Sequence, residues 1–181
     1  MGDNLSVGEQ VALVMANSDL AAFDALLNAN PDEFRNYLSR CTWWPSAAAD
    51  GNVVILEYLY NRGIDINESS MGIRDSPEGV VDITAHRGHV EATRWLIDRG
   101  AVLNQTVSGR VRCFPLSGAA GSGHLEVVKL LIERGAEVNA PWCGMTALDH
   151  AITYQKLPVY EYLRSVGAMT AAELGDPEAD D

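Results

Sequence analysis

The sequence predicts an all-α solenoid, a single domain of about five stacked helical units. Two recurring features carry this prediction. The first is a pair of glycines twelve residues apart, found at Gly51 and Gly63, at Gly88 and Gly100, and at Gly123 and Gly135. The second is an asparagine four residues after each closing glycine, at Asn67, Asn104 and Asn139. A fixed period of a few tens of residues is typical of stacked units rather than of one globular core.

The period also gives the predicted boundaries of the units. The position nine residues before each opening glycine is held in turn by Thr42, Gly79, Phe114 and Thr146, so the steps are 37, 35 and 32 residues. In the last copy Gln155 replaces the opening glycine, and a further copy without glycines lies over residues 18–30. We therefore expect units near residues 5–37, 38–74, 75–109, 110–141 and 142–170.

Each unit is predicted to contain two helices. In the second, apolar residues recur at spacings of three and four, as in Leu125, Val128, Leu131 and Ile132, so this helix has one apolar stripe. The first helix carries mostly small residues, such as Ala119–Ala120, which let the two helices pack closely. Gly63, Gly100, Gly135 and Gly167 fall where the second helix ends and a positive φ is needed. Thr42 and Thr146 are predicted N-caps.

These blocks resemble the ankyrin-repeat family over about residues 5–170. The copy most similar to the family pattern reads Phe114-Pro115-Leu116-Ser117, then Ala119-Ala120, Gly123-His124 and Gly135-Ala136-Glu137-Val138-Asn139. Two opening motifs depart from the pattern, at residues 42–45 and 79–82. The resemblance implies stacked helix–turn–helix repeats joined by β-hairpin loops, with degenerate N- and C-terminal repeats as caps.

The charge of −12 lies mostly at the two ends of the chain. Residues 1–35 carry six acids and one base, and residues 171–181 carry five acids and no base, which leaves −2 for residues 36–170. We interpret the acidic ends as solubilising caps rather than as a binding site for a basic partner. Residues 171–181 are predicted to form a disordered acidic tail. A basic patch is missing, which disfavours nucleic acid as a partner.

Other features point to a cytoplasmic protein that is monomeric when free. Apolar runs are too short for a membrane span, and the N-terminus lacks the basic and apolar regions of a secretory signal. Three cysteines without paired spacing suggest a reducing compartment. We expect no cofactor and no metal. His89 and His124 occupy the Gly-His slot, where the resemblance implies a structural ring. An enzyme or thiol-based sensor using His86, Cys113 or Cys143 is the alternative from a different class.

The resemblance implies that a partner binds the concave face, which is lined by hairpin tips and first helices. Carried onto this sequence, the predicted partner-binding residues are Trp142, Tyr154, Met145, Arg110, Arg112, His86, Arg87, Asp75, Glu78, Asp50 and Trp43. Trp142 either contacts the partner or covers the last hairpin. Trp43 either is exposed or packs on the N-terminal unit, while Trp44 is predicted to be core. The lengthened hairpins around residues 68–77 and 106–110 are either binding insertions or tolerated loops.

The function predicted from these features is a non-enzymatic module that binds one protein partner. A sharper hypothesis is an inhibitor, because a small acidic protein of this kind resembles bacterial immunity or antitoxin proteins that block a toxin or effector. The ending over residues 162–174 also resembles bacterial ankyrin proteins. A scaffold or regulatory adaptor subunit is the rival within the binding class.

Overall fold

The structure, a computed structural model, describes residues 5–31, 43–67, 79–107, 110–112 and 114–175. Within these ranges the chain forms helices and one short antiparallel hairpin, β1–β2. In chain order they are α1 (Val7–Ala16), α2 (Leu20–Ala29), α3 (Trp43–Ala49), α4 (Val53–Asn61), α5 (Val80–Arg87), α6 (Val90–Asp98), β1 (Gln105–Val107), β2 (Arg110–Arg112), α7 (Phe114–Ser122), α8 (Leu125–Glu133), α9 (Ala147–Thr153), α10 (Leu157–Ser165) and α11 (Ala171–Leu174).

The helices form two parallel rows. Helices α1–α2, α3–α4, α5–α6, α7–α8 and α9–α10 pair as repeats 1 to 5. The first helices of repeats 2 to 5 contact one another in chain order, and so do the second helices of repeats 1 to 5. This arrangement confirms the predicted all-α solenoid. In the described ranges, no helix has both the length and the apolar character to cross a membrane.

The core runs along the stack between the two rows. The first helices contribute small side chains that are almost fully buried, among them Ala47, Ala48, Ala85, Ala119, Ala120 and Ala151. The second helices contribute the large residues, with Leu56, Leu59, Leu96, Leu131 and Leu163 also inaccessible to solvent. Because small residues let first helices approach closely, neighbouring repeats close each other's apolar stripe.

In repeats 2 and 3, the turn between the two helices leaves space for a side chain of the next repeat. Gly51 and Gly88 have φ of 65° and 82°. A Cβ at Gly51 would lie 2.6 Å from the His89 ring, and one at Gly88 would lie 2.5 Å from the His124 ring. His89 Nε2 donates a hydrogen bond to the Ala49 carbonyl oxygen over 2.8 Å. The structural role predicted for these histidine rings is therefore confirmed, and both positions require glycine.

The recurring spacing of asparagines has an equally direct cause, because each asparagine bridges two repeats. Asn104 Nδ2 donates to the Gly135 carbonyl oxygen over 2.8 Å, and the Glu137 N–H donates to Asn104 Oδ1 over 2.9 Å. Asn67 makes the same pair of bonds one repeat earlier. Asn139 accepts from the Met169 N–H over 2.8 Å. The bridges fix the position of each loop relative to the next.

Ion pairs link the second helices on the outside of the stack. Arginines that directly precede the closing glycines reach back to carboxylates of the preceding repeat, in the pairs Arg62–Asp24, Arg99–Glu57 and Arg134–Asp98. Arg99 also lies over the Trp95 ring, 4.0 Å from its centroid. These pairs are partly exposed, so each contributes little to stability. Their shared geometry reinforces the repeat register.

The C-terminal end corrects one prediction. Residues 171–174 were expected to begin a disordered tail, but they form α11, with Thr170 as its N-cap and Ala171 buried. Arg164 binds both carboxylate oxygens of Glu173, at 2.8 Å and 2.9 Å. Acidic composition alone predicts disorder here, because it does not take account of the contact between Glu173 and Arg164. Residues 176–181 lie outside the described residues.

The N-terminal end resolves the two tryptophans at the start of α3. Trp44 is 1% exposed, which confirms it as a core residue. Trp43 is 7% exposed and packs edge-on against Phe23 of repeat 1, with ring centroids 5.8 Å apart. The inclusion of Trp43 among partner-binding residues is therefore wrong. It joins repeat 1 to the rest of the stack instead.

Asn104→Ala should lower the free energy of unfolding by about 1–2 kcal/mol, because it removes both bonds that join the loops of repeats 3 and 4. Urea unfolding followed by circular dichroism measures this change. Asn61→Ala is the matched control, since Asn61 is exposed at the end of α4 and makes no bond to another repeat among the described residues. Equal losses in the two variants would contradict a bridging role for Asn104.

Candidate functional site

The first helices α3, α5, α7 and α9 present a continuous surface, which we call the first-helix face. A cavity of about 550 Å³ opens on it, within the range of roughly 300–1,000 Å³ typical of ligand pockets. This first-helix pocket is lined by residues of three consecutive repeats and of the last hairpin: Pro45, Ser46, Ala49, Asp82, Ile83, His86, Arg87, Phe114, Gly118 and Trp142. Its walls therefore depend on how the repeats stack.

One wall of the pocket is aromatic. The half-buried Trp142 packs edge-on against Phe114, with ring centroids 4.9 Å apart and planes at 70°. Trp142 is held by a tight turn, in which its N–H donates to the Met145 carbonyl oxygen over 2.7 Å and the Met145 N–H donates back over 3.0 Å. The two central residues, Cys143 and Gly144, have φ of 51° and 72°, as a type I′ turn requires. Trp142 both covers Phe114 and lines the pocket.

The opposite edge of the pocket is polar and comes from the end of α5. His86 and Arg87 are exposed there, immediately before Gly88 ends the helix in the left-handed conformation. His86 Nδ1 forms a 3.1 Å hydrogen bond with Ser122 Oγ of the next repeat. Among the described residues Arg87 forms no ion pair, although the pocket also contains a carboxylate, that of Asp82, whose Oδ2 accepts the Gly79 N–H. The edge therefore offers an accessible guanidinium.

The rings of Trp142, His150 and Tyr154 form a row that runs from the pocket to the end of α9. The half-buried His150 lies between Trp142 and Tyr154, with ring centroids 6.2 Å from each, and its plane is within 4° of that of Tyr154. Tyr154 is 58% exposed. A Cβ at Gly121 would lie only 3.2 Å from Tyr154 Cδ2, so the glycine gives the tyrosine ring its place. The rings extend the apolar surface beyond the pocket.

Burial lowers the pKa of His150 below its ordinary value of 6.5. The nearby Asp149 carboxylate and a hydrogen bond to the Trp142 backbone act in the opposite direction but do not reverse the shift. The Nε2 atom of His150 is buried, and no described residue bonds to it. The imidazole is therefore held neutral between two aromatic rings, where a charge would be poorly solvated.

The structure brings most of the predicted binding residues that it describes into one surface. His86, Arg87 and Trp142 line the first-helix pocket, Tyr154 joins it through His150, and Met145 pairs with Trp142 in the turn. Asp50 is exposed but borders a different cavity, shared with Ser18 of repeat 1. On β2, Arg110 and Arg112 pair with Val107 and Gln105. Asp75 and Glu78 lie outside the described residues.

Several residues of this surface were not predicted from the sequence, among them Ile83, Phe114 and His150. Phe114 takes the slot that threonine takes in two other copies, which predicts a residue of the repeat frame. His150 stands four residues before Tyr154, a spacing that places two side chains on the same helix face. That spacing was the available signal for their stacking.

The pocket combines apolar walls with one histidine, one arginine and one aspartate. Among the residues that the structure describes, no group of three or more histidine, cysteine, aspartate or glutamate side chains is suited to a metal ion. Cys143 is exposed at the hairpin tip, whereas Cys41 and Cys113 lie outside the described residues. Aromatic rings beside an exposed arginine are typical of protein interfaces.

Comparison with known proteins gives one result. A family model described as ankyrin repeats (3 copies) matches residues 47–141 and residues 81–173. Together these segments span 47–173, more than half of the 181 residues, and contain all but two of the residues that line the first-helix pocket. No curated protein matches the chain.

Because the pKa of His150 is lowered in the folded state, the unfolded chain takes up its proton at higher pH than the folded chain does. Stability should therefore fall as pH drops below about 6.5, and it should stop falling once the folded imidazole is also protonated. An NMR titration of the His150 ring should show a midpoint below 6.5. In Tyr154→Ala the midpoint should rise towards 6.5, because the stacked ring no longer shields the imidazole from water. An unchanged midpoint in that variant would contradict shielding by Tyr154.

Proposed function

The chain belongs to the ankyrin-repeat family, whose repeats are generally protein–protein interaction modules, and from this premise we propose that it binds one protein partner through the first-helix face. The first-helix face corresponds to the concave face that the resemblance to ankyrin repeats implies. We further propose that the chain acts without catalysing a reaction of its own. The setting proposed for this binding is the cytoplasm, as the cysteine usage suggests.

The observation that carries the proposal is the apolar pocket together with the exposed rings beside it. Trp142 lines the pocket, and Tyr154 presents more than half of its surface to solvent on the same face. Tryptophan, tyrosine and arginine dominate the energetic centres of protein interfaces. A partner that covered this surface would bury two rings that the protein itself leaves partly exposed, which is a favourable contribution to binding.

The hydrogen bond between His86 and Ser122 is better explained by structure than by catalysis. A serine nucleophile needs a histidine base that is itself oriented by a third group. Among the described residues no carboxylate binds the second nitrogen of His86, and the pair joins exposed positions of repeats 3 and 4. The bond therefore supports a role in aligning α5 with α7.

Inhibition of the partner, as a bacterial immunity protein inhibits a toxin, is the finer form of this proposal. Scaffolding is its rival, and the two separate once the partner is in hand. An inhibitor abolishes the partner's activity at a one-to-one ratio, and its co-expression restores growth to cells that express the partner. A scaffold leaves the partner's activity unchanged.

Tyr154→Ala should reduce capture of the partner from a lysate of the native host at least tenfold, which corresponds to about 1.4 kcal/mol of binding free energy. Quantitative mass spectrometry of the protein retained by the tagged chain measures the loss. The free energy of unfolding should change by less than about 1 kcal/mol, because the Tyr154 ring is mostly exposed and loses mainly its stacking on His150.

The matched control is Leu157→Ala. Leu157 is 61% exposed, similar to Tyr154, but it lies on the second helix α10. This variant should retain full capture. If Tyr154→Ala captured the partner as well as the original chain does, the first-helix face would not be the binding surface.

A further inference from the structure

Arg87 differs from most other arginines of the described chain. Arg62, Arg99, Arg134 and Arg164 each bind a carboxylate of the protein itself. Arg87 is exposed at the polar edge of the first-helix pocket and forms no ion pair with a described residue. The exposed guanidinium can therefore be reached by a carboxylate from outside.

We propose that the first-helix pocket binds an extended acidic segment of the partner, with an apolar side chain in the pocket and an aspartate or glutamate carboxylate on Arg87. This inference rests on the proposed function and specifies the chemistry of its partner. The apolar side chain contacts Ile83 and the Phe114–Trp142 pair, which form the hydrophobic part of the lining. The carboxylate accepts two N–H bonds from the guanidinium, the geometry that arginine provides and lysine does not.

The length and the exposure of the pocket, rather than its volume, favour a chain segment over a small molecule. The lining comes from α3, α5 and α7, and neighbouring helices pack about 8–10 Å apart, so the pocket extends over about 20 Å. An extended chain covers that distance with about six residues at ~3.3 Å each. Small-molecule sites enclose most of their ligand, but Ser46, His86 and Arg87 of this lining are exposed. Arg87 lies on α5, between α3 and α7, so the acid that meets it is a side chain within the segment and not a chain terminus.

Selection from a phage-displayed library of random peptides, of about twelve residues, tests the proposal on the full chain. Enriched peptides should share an apolar residue with an aspartate or glutamate a few positions away. In synthetic versions, changing that acid to its amide should weaken binding at least tenfold in fluorescence anisotropy. Amidating the peptide's C-terminus should have no effect. Loss of binding on C-terminal amidation, or enrichment of peptides without an acid, would overturn the proposal.

Charge reversal in the protein gives the decisive comparison. Selection on Arg87→Glu should replace the enriched acid with lysine or arginine. Arg94→Glu is the matched control, because Arg94 also forms no ion pair with a described residue but lies on the second helix α6, so it should return the acidic motif unchanged. Circular dichroism verifies that both variants are folded. If Arg87→Glu returned the same acidic motif, the assignment of Arg87 would be wrong.

Failure of the proposed function and failure of the acidic-segment inference give different experimental results. If Tyr154→Ala loses the host partner while Arg87→Glu retains it, and no acidic motif is enriched, the first-helix face binds a partner of other chemistry. If both variants retain the host partner, the proposed function fails together with the inference. Enrichment only of phosphoserine-containing peptides in a parallel phosphorylated library would replace the carboxylate with a phosphate and would also overturn the proposal.

Discussion

The whole structure depends on contact between neighbouring repeats, because no helix pair can bury its own apolar stripe. Each interior pair closes the stripe of the pair before it and is closed by the pair after it. The polar contacts follow the same rule: Asn67, Asn104 and Asn139 each bond to the next repeat, and His89 bonds back to the Ala49 carbonyl. The register of the stack is thus set one interface at a time.

The proposed binding surface is a consequence of that register. Small residues on the inner side of the first helices bring α3, α5 and α7 close together, which leaves their outward residues in one continuous face. The pocket appears where this face meets the hairpin that carries Trp142. Phe114 and Trp142 belong to successive repeats, so their contact exists only because the repeats are stacked. The stacking of repeats therefore both stabilises the fold and forms the proposed binding surface.

The sequence allowed the repeats to be predicted because their signals are local and recur. Glycines, asparagines and the three-and-four spacing report on one turn, one bridge or one stripe at a time, and several copies agree. The resemblance to ankyrin repeats likewise implied that His86, Arg87 and Tyr154 lie on the concave face, and all three are at the surface of the structure. Because these repeat signals recur, each copy could be compared with the others, and the fold class could be predicted from the chain alone.

What could not be predicted depends on contacts between residues far apart in the chain. Trp43 departs from the repeat motif, and only the position of Phe23 shows that it is buried. Phe114 becomes a pocket wall because of a tryptophan 28 positions later. The helix at residues 171–174 differs from the prediction for a local reason. Thr170 and Glu173 form a capping box that stabilises the helix, although the acidic composition of the segment favours disorder.

The location of charges also explains how an acidic protein can favour an acidic segment. Most of the −12 lies towards the two ends of the sequence, whereas residues 36–170 carry only −2. Arg87 lies in repeat 3, within that nearly balanced stretch of the sequence. At physiological ionic strength the Debye length is about 8 Å, so exposed charges farther than this from Arg87 are largely screened. A partner carboxylate at the pocket would therefore respond mainly to the charges close to Arg87 rather than to the net charge of the chain.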